Sequence, residues 1–540
     1  MHQDLTWLDP QNQDRSEINL KYFYEPDISN YSMLLLSEDE NVLYVGAREA
    51  IYAVNALDIS ELQQKVYWKA SEDQINECVM KGKDKQTECL NYVRVLQPLK
   101  ENVLYVCGTN AFHPICDYLD LTTFELAGTN EDGTGQSPFD PKKSYTSVMV
   151  DGELYSGTSI NVMGSMHTIF RHSPENNLKT HSSILWLDEP IFVFADVIRR
   201  SENDANGDDD KVYISFNENS LEYNFLNKML IPRIARVCKG DQGGFWTLEK
   251  TWTTFLKATL VCHLPEGNYV FHVITDVFIL KSPSLKEPLI YGVFTAHLNN
   301  IGMSAVCAYS LASIEEVFAT GKYMQSFVTD HKEIKYVPYS GNIPEPRPGM
   351  CINSFDNERK YNSSIDLPTS HLEFVQNHPL IFDTVNPIGN KPQLLKKNAI
   401  YTQIVVDRVE ALDSNTYNVM FLGTDEGFLH KAINFEKRMY IIEHVQIFSD
   451  ADPVQTLLLS SNKNQRYIYA SSFSEVVQIP IALCDKYTTC TGCVIIRDPY
   501  CAWSPTKLSC INILEKEDTD RDLIQNINGD DSSCSDYQPL

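Results

Sequence analysis

No window of the sequence comes near the run of about 18 apolar residues that a membrane-spanning helix needs, and Met1-His2-Gln3-Asp4 opens no secretory signal segment. Positive charge is short as well: 45 Lys and Arg stand against 72 Asp and Glu, a formal net charge of −27. A phosphate backbone is bound by excess Lys and Arg, so this balance argues against nucleic acid and against anionic membrane surfaces. Its ordinary meaning is a solvated, soluble exterior. Catalytic signatures are missing too. No serine or cysteine nucleophile motif is present, and no His follows the paired cysteines at zinc-ligand spacing. No cofactor, metal or small-molecule substrate is expected.

What the chain has is cysteine, fourteen in all, with six between Cys484 and Cys534. At their centre lies Arg497-Asp498-Pro499-Tyr500-Cys501-Ala502-Trp503. A segment of about fifty residues cannot bury enough apolar surface to be stable alone, so cross-links must supply what a core cannot. A knot of this density forms only in an oxidising compartment, outside the cell or on its surface. Two acceptor sequons, Asn30-Tyr31-Ser32 and Asn362-Ser363-Ser364, agree with that compartment and make Asn30 and Asn362 candidate glycosylation sites. The chain reads as a mature secreted protein or an ectodomain fragment.

Upstream of the knot one short pattern recurs: two or three apolar residues around an aromatic, then a small residue. It appears around Tyr44, Tyr105, Tyr155, Tyr213, Tyr291, Phe421 and Tyr469, at spacings of 61, 50, 58, 78, 130 and 48 residues. A period of roughly 40 to 60 residues rich in β-branched and aromatic runs is the signature of a propeller blade, and seven occurrences predict seven blades. Within a unit, Tyr44-Val45-Gly46 turns through Ala47-Arg48-Glu49 into Ala50–Val54, and Val419–Gly423 turns through Thr424–Gly427 into Phe428–Ala432. Ile18, Leu20, Tyr22 and Tyr24 alternate as a strand that can close the ring beside Glu475–Ile479. The alternative is a set of unrelated β-sandwiches. The two long gaps read as a repeat plus inserted material, helical at Phe245–Ala258 and again at Ser313–Phe318, and both stretches read as excursions from the blade that contains Tyr291. Cys238, Cys262, Cys307 and Cys351 bracket this region; each long-range disulfide would add roughly 3 to 5 kcal/mol in the loop-entropy model. The fold class is therefore all-β, an enlarged seven-bladed propeller over residues 1–483 and a small cysteine-knotted module over 484–540.

Several motifs carry a sharper reading beside a plainer one. Cys490-Thr491-Gly492-Cys493 has redox spacing, but inside a six-cysteine knot with no βαβ pattern beside it a structural role is expected. Asp204, Asn206, Asp208 and Asp210 resemble part of a calcium loop, yet Gly207 and Ser215 stand at the wrong positions, which favours a solvated hairpin tip. Lys239-Gly240-Asp241 has the form of an integrin-recognition tripeptide but lies beside a cysteine and before two glycines, as a structural turn would. The alternative to a binding protein is a propeller-fold secreted hydrolase, which needs two carboxylates facing across a polar central cleft. Two loops carry large apolar residues where a turn is usually polar: Ile160, Val162 and Met163 in one, Phe225 and Leu226 in Tyr223–Leu226. Such residues mark a contact surface as readily as core packing, and a two-fold homodimer needs one that is self-complementary.

The wording at particular places resembles the semaphorins over essentially the whole chain. The motifs are Tyr44–Glu49, Glu88-Cys89-Leu90-Asn91-Tyr92, Tyr105–Phe112, Ser137-Pro138-Phe139-Asp140-Pro141, Arg236-Val237-Cys238-Lys239 with Gly243-Gly244, Arg347–Cys351 and Arg497–Trp503. Gln86–Cys89 and Tyr401–Arg408 are most similar to vertebrate class 4. Plexins and Met-type receptors share the sema–PSI order but not this wording; a fragment of such a receptor is the alternative. The resemblance implies a sema propeller followed by a PSI module, from the ectodomain of a single-span plasma membrane protein. It also settles what spacing leaves open: it implies Cys78–Cys89, Cys107–Cys116, Cys238–Cys351 and Cys262–Cys307, then Cys484–Cys501, Cys490–Cys534 and Cys493–Cys510. It further implies a guidance ligand, non-catalytic and dimeric, that binds a plexin, B-type foremost. Receptor contact would involve Phe374, Gln376, Asn377 and His378 in Phe374-Val375-Gln376-Asn377-His378-Pro379; several relatives carry a basic residue where this chain has Gln376.

Overall fold

The computed structural model describes residues 18, 20–199, 209–222, 229–265, 269–283, 285–296, 302–328, 334–352, 361–435, 438–449, 451–460, 466–516 and 522–537. Seven antiparallel sheets follow one another along the chain as blades, the second with two short extra strands at its rim. Each repeated aromatic lies on the second strand of its blade: Val42–Ala47, Val103–Gly108, Glu153–Ser159, Lys211–Asn219, Leu289–Thr295, Thr416–Thr424 and Tyr467–Ser471.

The ring has no single core. Its apolar interior is divided into wedges between neighbouring blades, and the seven aromatics point forward into them. Tyr44 packs between blades 1 and 2, Tyr105 between 2 and 3, and Tyr155 between 3 and 4. Tyr213, Tyr291, Phe421 and Tyr469 repeat this around to the junction of blades 7 and 1. The small residue of the pattern has an equally physical cause. A Cβ on Gly46 would stand 2.8 Å from Val93, one on Gly157 2.5 Å from Phe192, and one on Gly423 2.6 Å from Val454. Each of those neighbours stands at or just before the inner strand of the next blade, so a side chain there would push adjacent blades apart.

Ring closure is as expected. Lys21–Phe23 pairs antiparallel with Val476–Pro480, placing Lys21 opposite Gln478 and Phe23 opposite Val476. Blade 7 therefore takes strands from both ends of the chain, which hides both edges.

Helix α1 (Glu72–Met80) lies between blades 1 and 2 and opens on a capping box between Ser71 and Gln74. The large insertion leaves blade 5 after Met303–Ser310 and returns at Leu394–Lys397. It contains α2 (Leu311–Thr320), which covers the predicted helix at Ser313–Phe318, and α3 (Thr369–Asn377). The predicted helix over Phe245–Ala258 does not form, nor is this stretch part of the blade-5 excursion. Trp246, Leu248 and Lys250 have positive φ, and Leu256–Thr259 is the outer strand of blade 4. The competitor is the buried Asp241 carboxylate, which accepts the Thr253 and Thr254 backbone N–H groups at 2.8 and 2.9 Å and both threonine hydroxyls.

The disulfides are Cys78–Cys89, Cys107–Cys116, Cys238–Cys351, Cys262–Cys307, Cys484–Cys501, Cys490–Cys534 and Cys493–Cys510, the pairs that the resemblance implies. Cys238–Cys351 staples the insertion to blade 4. After Pro480 the chain enters the cysteine-rich module, with α4 (Cys490–Ile495) and a hairpin of Cys501–Ser504 with Ser509–Asn512. Tyr500 and Ile527 join the apolar wedge of blades 6 and 7, so the module is packed against the propeller.

Candidate interaction face

Helix α3 begins after Pro368 with no side-chain cap, and at nine residues it is too short to hold its shape alone. Packing holds it. Phe374 is buried edge-on between Tyr323 and Tyr339, with ring centroids 5.0 and 5.2 Å away. The His378 ring lies 4.4 Å from that of Phe374, and its Nδ1 is 3.0 Å from the Met324 carbonyl. Burial lowers the His378 imidazole below its usual value, against the opposing pull of that carbonyl. The Trp186 indole donates to the Gln376 carbonyl at 2.9 Å, and the Gln376 amide meets His181 Nε2 at 3.0 Å.

Of the four residues predicted to meet a receptor, Phe374 is an internal wedge, Gln376 and His378 are half-buried, and Asn377 is exposed. The structure adds neighbours that sequence reasoning missed. Phe245 and Trp246 form an edge-on pair, 59% and 81% exposed, on a turn that touches α3: a Cβ on Gly244 would stand 2.7 Å from Leu372. Ile184, 62% exposed, belongs to the segment that carries Trp186. A helix with a polar outer edge, flanked by bare apolar side chains, is suited to protein contact. The signal was present in Gly243-Gly244-Phe245-Trp246, where the helix expected over Phe245–Ala258 concealed a turn.

The other candidates fall elsewhere. In the loop after the third blade's second strand, Met163 is 83% exposed, Ile160 is half-buried, and Val162 packs onto the cluster of Phe112 with Phe139. Phe225 and Leu226 lie outside the described residues, as do Asp204, Asn206 and Asp208; Asp210 pairs with Arg199 at 2.8 Å. Asn362 is exposed, whereas the half-buried Asn30 accepts a hydrogen bond from Arg94 at 3.0 Å. Asp241 is 2% exposed with its carboxylate saturated, so Lys239-Gly240-Asp241 presents no acidic contact to a partner. Cys490 and Cys493 are bonded to Cys534 and Cys510 rather than to each other, which removes the redox reading. The clustered sulfurs of Cys484, Cys501 and Cys510 are likewise all in disulfides. A small cavity between blades 4 and 5 is lined by apolar side chains such as Phe194, Tyr213, Ile234, Leu260 and Val277.

Residues 274–461 match the model of the Sema domain, and residues 483–535 match that of the Plexin repeat, PSI. The solved structure of Drosophila Semaphorin 1a, extracellular domains 1–2, superposes with a TM-score of 0.82 at 30% identity, over 94% of this chain and 97% of that one. The chain belongs to the semaphorin family. Human Semaphorin-4D is 57% identical over 532 residues, 98% of this chain. This semaphorin sequence spans 61% of that relative's length. A chain of the Drosophila Plexin A complex with Semaphorin 1b matches with a TM-score of 0.82 at 28% identity, over 96% of this chain and 99% of that one. The family is one of signalling ligands, not of enzymes.

Proposed function

We propose that this semaphorin is an extracellular ligand of plexin receptors, B-type foremost, and that the α3 edge with Gln376, Asn377 and His378 lies in the receptor contact. The observation that carries the reading is the likeness, over almost the whole of both chains, to a chain of a Plexin A–Semaphorin 1b complex. The B-type preference is supported by the 57% identity to Semaphorin-4D. The ligand acts as a two-fold homodimer, since a bivalent ligand draws two receptors together and gains apparent affinity through effective concentration. Its interface takes the loops of Met163 and Phe225. In the full-length protein the propeller and module stand outside a single membrane span, with glycans at Asn30 and Asn362. A rigid propeller suits the task because its edge loops shift little on binding.

The test is a glycan on the α3 edge. Pro379→Thr makes Asn377 an acceptor, and the secreted variant should retain parental stability while losing binding to immobilised plexin B ectodomains. Unchanged binding by a glycosylated variant would move the receptor contact away from α3. A panel of A-, B-, C- and D-type ectodomains tests the subtype; equal affinity for all would overturn the B-type preference.

A further inference from the structure

We propose that Arg347 is a positioning residue that holds α3 in its binding pose, a link in a relay that runs from the contact of Glu315 on α2 with blade 4 through Tyr323 to α3. The role in binding rests on the receptor reading above; the mechanical role does not.

Start at the blade. Lys211 Nζ meets Glu315 Oε2 at 2.6 Å, Arg236 Nη1 meets the same oxygen at 3.0 Å, and the Tyr213 hydroxyl donates to Oε1. Glu315 sits on α2, so one carboxylate gathers three donors from two strands of blade 4 and fixes the helix against them. Burial alone would raise this carboxyl; the Arg236 and Lys211 cations outweigh it and hold it below the usual carboxylate range. Arg236 also stacks on Phe318 at 4.9 Å and donates through Nη2 to the Gly349 carbonyl at 2.8 Å.

The far end of α2 is where Arg347 acts. Its Nε donates to the Phe318 carbonyl at 2.9 Å and its Nη2 to that of Gly321, so the guanidinium fork satisfies carbonyls that the helix end leaves open. The same guanidinium lies over the Tyr323 ring at 4.5 Å, and the Tyr323 hydroxyl donates to the Pro348 carbonyl at 2.6 Å. Tyr323 is fully buried, so its ring has one orientation, and that ring is a wall against which Phe374 of α3 is seated. The segment Arg347-Pro348-Gly349 thus reads the position of α2 and transmits it to α3. Gly349 has φ +79°, and a Cβ there would stand 2.4 Å from Leu256, which explains glycine at this step.

Three variants test this. Arg347→Lys keeps the charge and loses the fork, Glu315→Gln keeps the size and loses the charge, and Tyr323→Phe removes one O–H. Hydrogen exchange should quicken about tenfold in the 371–378 amides in each, with protection in the blade-6 strand Tyr401–Glu410 unchanged. Toward a plexin that the parent binds, dissociation should quicken about tenfold while association stays the same, because the contact surface is present but held less firmly. A merely structural role would instead lower protection across blades 4 and 5 and reduce the active fraction without altering the dissociation rate. The proposal fails if α3 exchange in Arg347→Lys equals that of the parent, or if α3 loosens and dissociation does not change. Should the parent bind no plexin, the receptor reading falls by itself, and the exchange data still decide the relay.

Discussion

Replacing Lys431 by methionine should loosen the cysteine-rich module from the propeller by a measurable amount. Lys431 is on blade 6, and its Nζ lies 2.5 Å from Asp498 Oδ2, 2.9 Å from the Ile481 carbonyl and 4.5 Å from the Tyr500 ring centroid. The two side chains are 1% and 0% exposed, so the pair has no access to water. With the lysine gone, Asp498 keeps the Tyr500 N–H at 3.0 Å on Oδ1, and its charge has no counterion there. Stranding a buried charge costs about 3–5 kcal/mol, against about 0–1 kcal/mol for an exposed pair. Lys431→Met/Asp498→Leu removes both charges and should recover most of that loss. Urea unfolding of parent, single and double variants gives the magnitude. Hydrogen exchange in residues 490–512 separates undocking of the disulfide-tied module from unfolding of the propeller. A single variant that loses less than about 1 kcal/mol, or a double variant as unstable as the single, would refute the buried-pair reasoning.

Two further predictions concern acid and assembly. Burial, helped by His444 and Lys396, holds the His430 imidazole down to about 3, and burial holds His371 down to about 4. A folded value below the unfolded value of about 6.5 means stability that is full above pH 6.5 and is lost as pH falls toward the folded values, about 2 kcal/mol per group at pH 5. Asp276, pushed up to about 7 by burial, acts in the opposite sense. The check is therefore the difference between His430→Gln and the parent, which should shrink the acid loss; parallel pH profiles would contradict it. For assembly, a glycan at position 225 through Phe225→Asn with Asn227→Ser should give a monomer by light scattering that binds plexin more weakly. A variant that stays dimeric would move the interface elsewhere.

The blade count was legible because each repeat has to solve the same packing problem. An aromatic must reach forward into the next wedge while the residue two positions on stays small, and that pair of demands leaves a mark in blade after blade, from Tyr44-Val45-Gly46 to Tyr155-Ser156-Gly157. The closing strand was legible for a related reason: Leu20 is buried, and Ile18 and Tyr22 pack against the same wedge, whereas Tyr24 lies beyond the strand and is exposed. The stretch Phe245–Ala258 misled because apolar spacing says nothing about a remote competitor. Asp241 lies 12 residues before Thr253, and only the folded chain brings its carboxylate onto two backbone N–H groups and two hydroxyls.

The interaction face divides along the same physical line. The segment Phe374–Pro379 could be picked out by its wording, but wording does not tell a wedge from a contact. Phe374 is an internal wedge of α3 and not a surface contact, buried between two tyrosines that the chain supplies 51 and 35 residues earlier. Gln376 looks like a free polar contact in sequence, yet its carbonyl and its amide are both engaged, by Trp186 and His181 of the segment after blade 3. What that leaves outward on the helix edge is Asn377, with Ile184, Phe245 and Trp246 brought alongside from two other blades. An exposed tryptophan in a tight turn at positive φ is costly to keep unless something covers it. None of these juxtapositions has a local signature, because each depends on how blades 3 and 4 and the insertion are clamped together. Glu315 and the Cys238–Cys351 bridge hold the insertion to blade 4, and Arg347 ties the segment before Cys351 to the end of α2. If the proposed receptor contact at α3 holds, the family motif Arg347–Cys351 marks that face through residues that aim it and not through residues that touch.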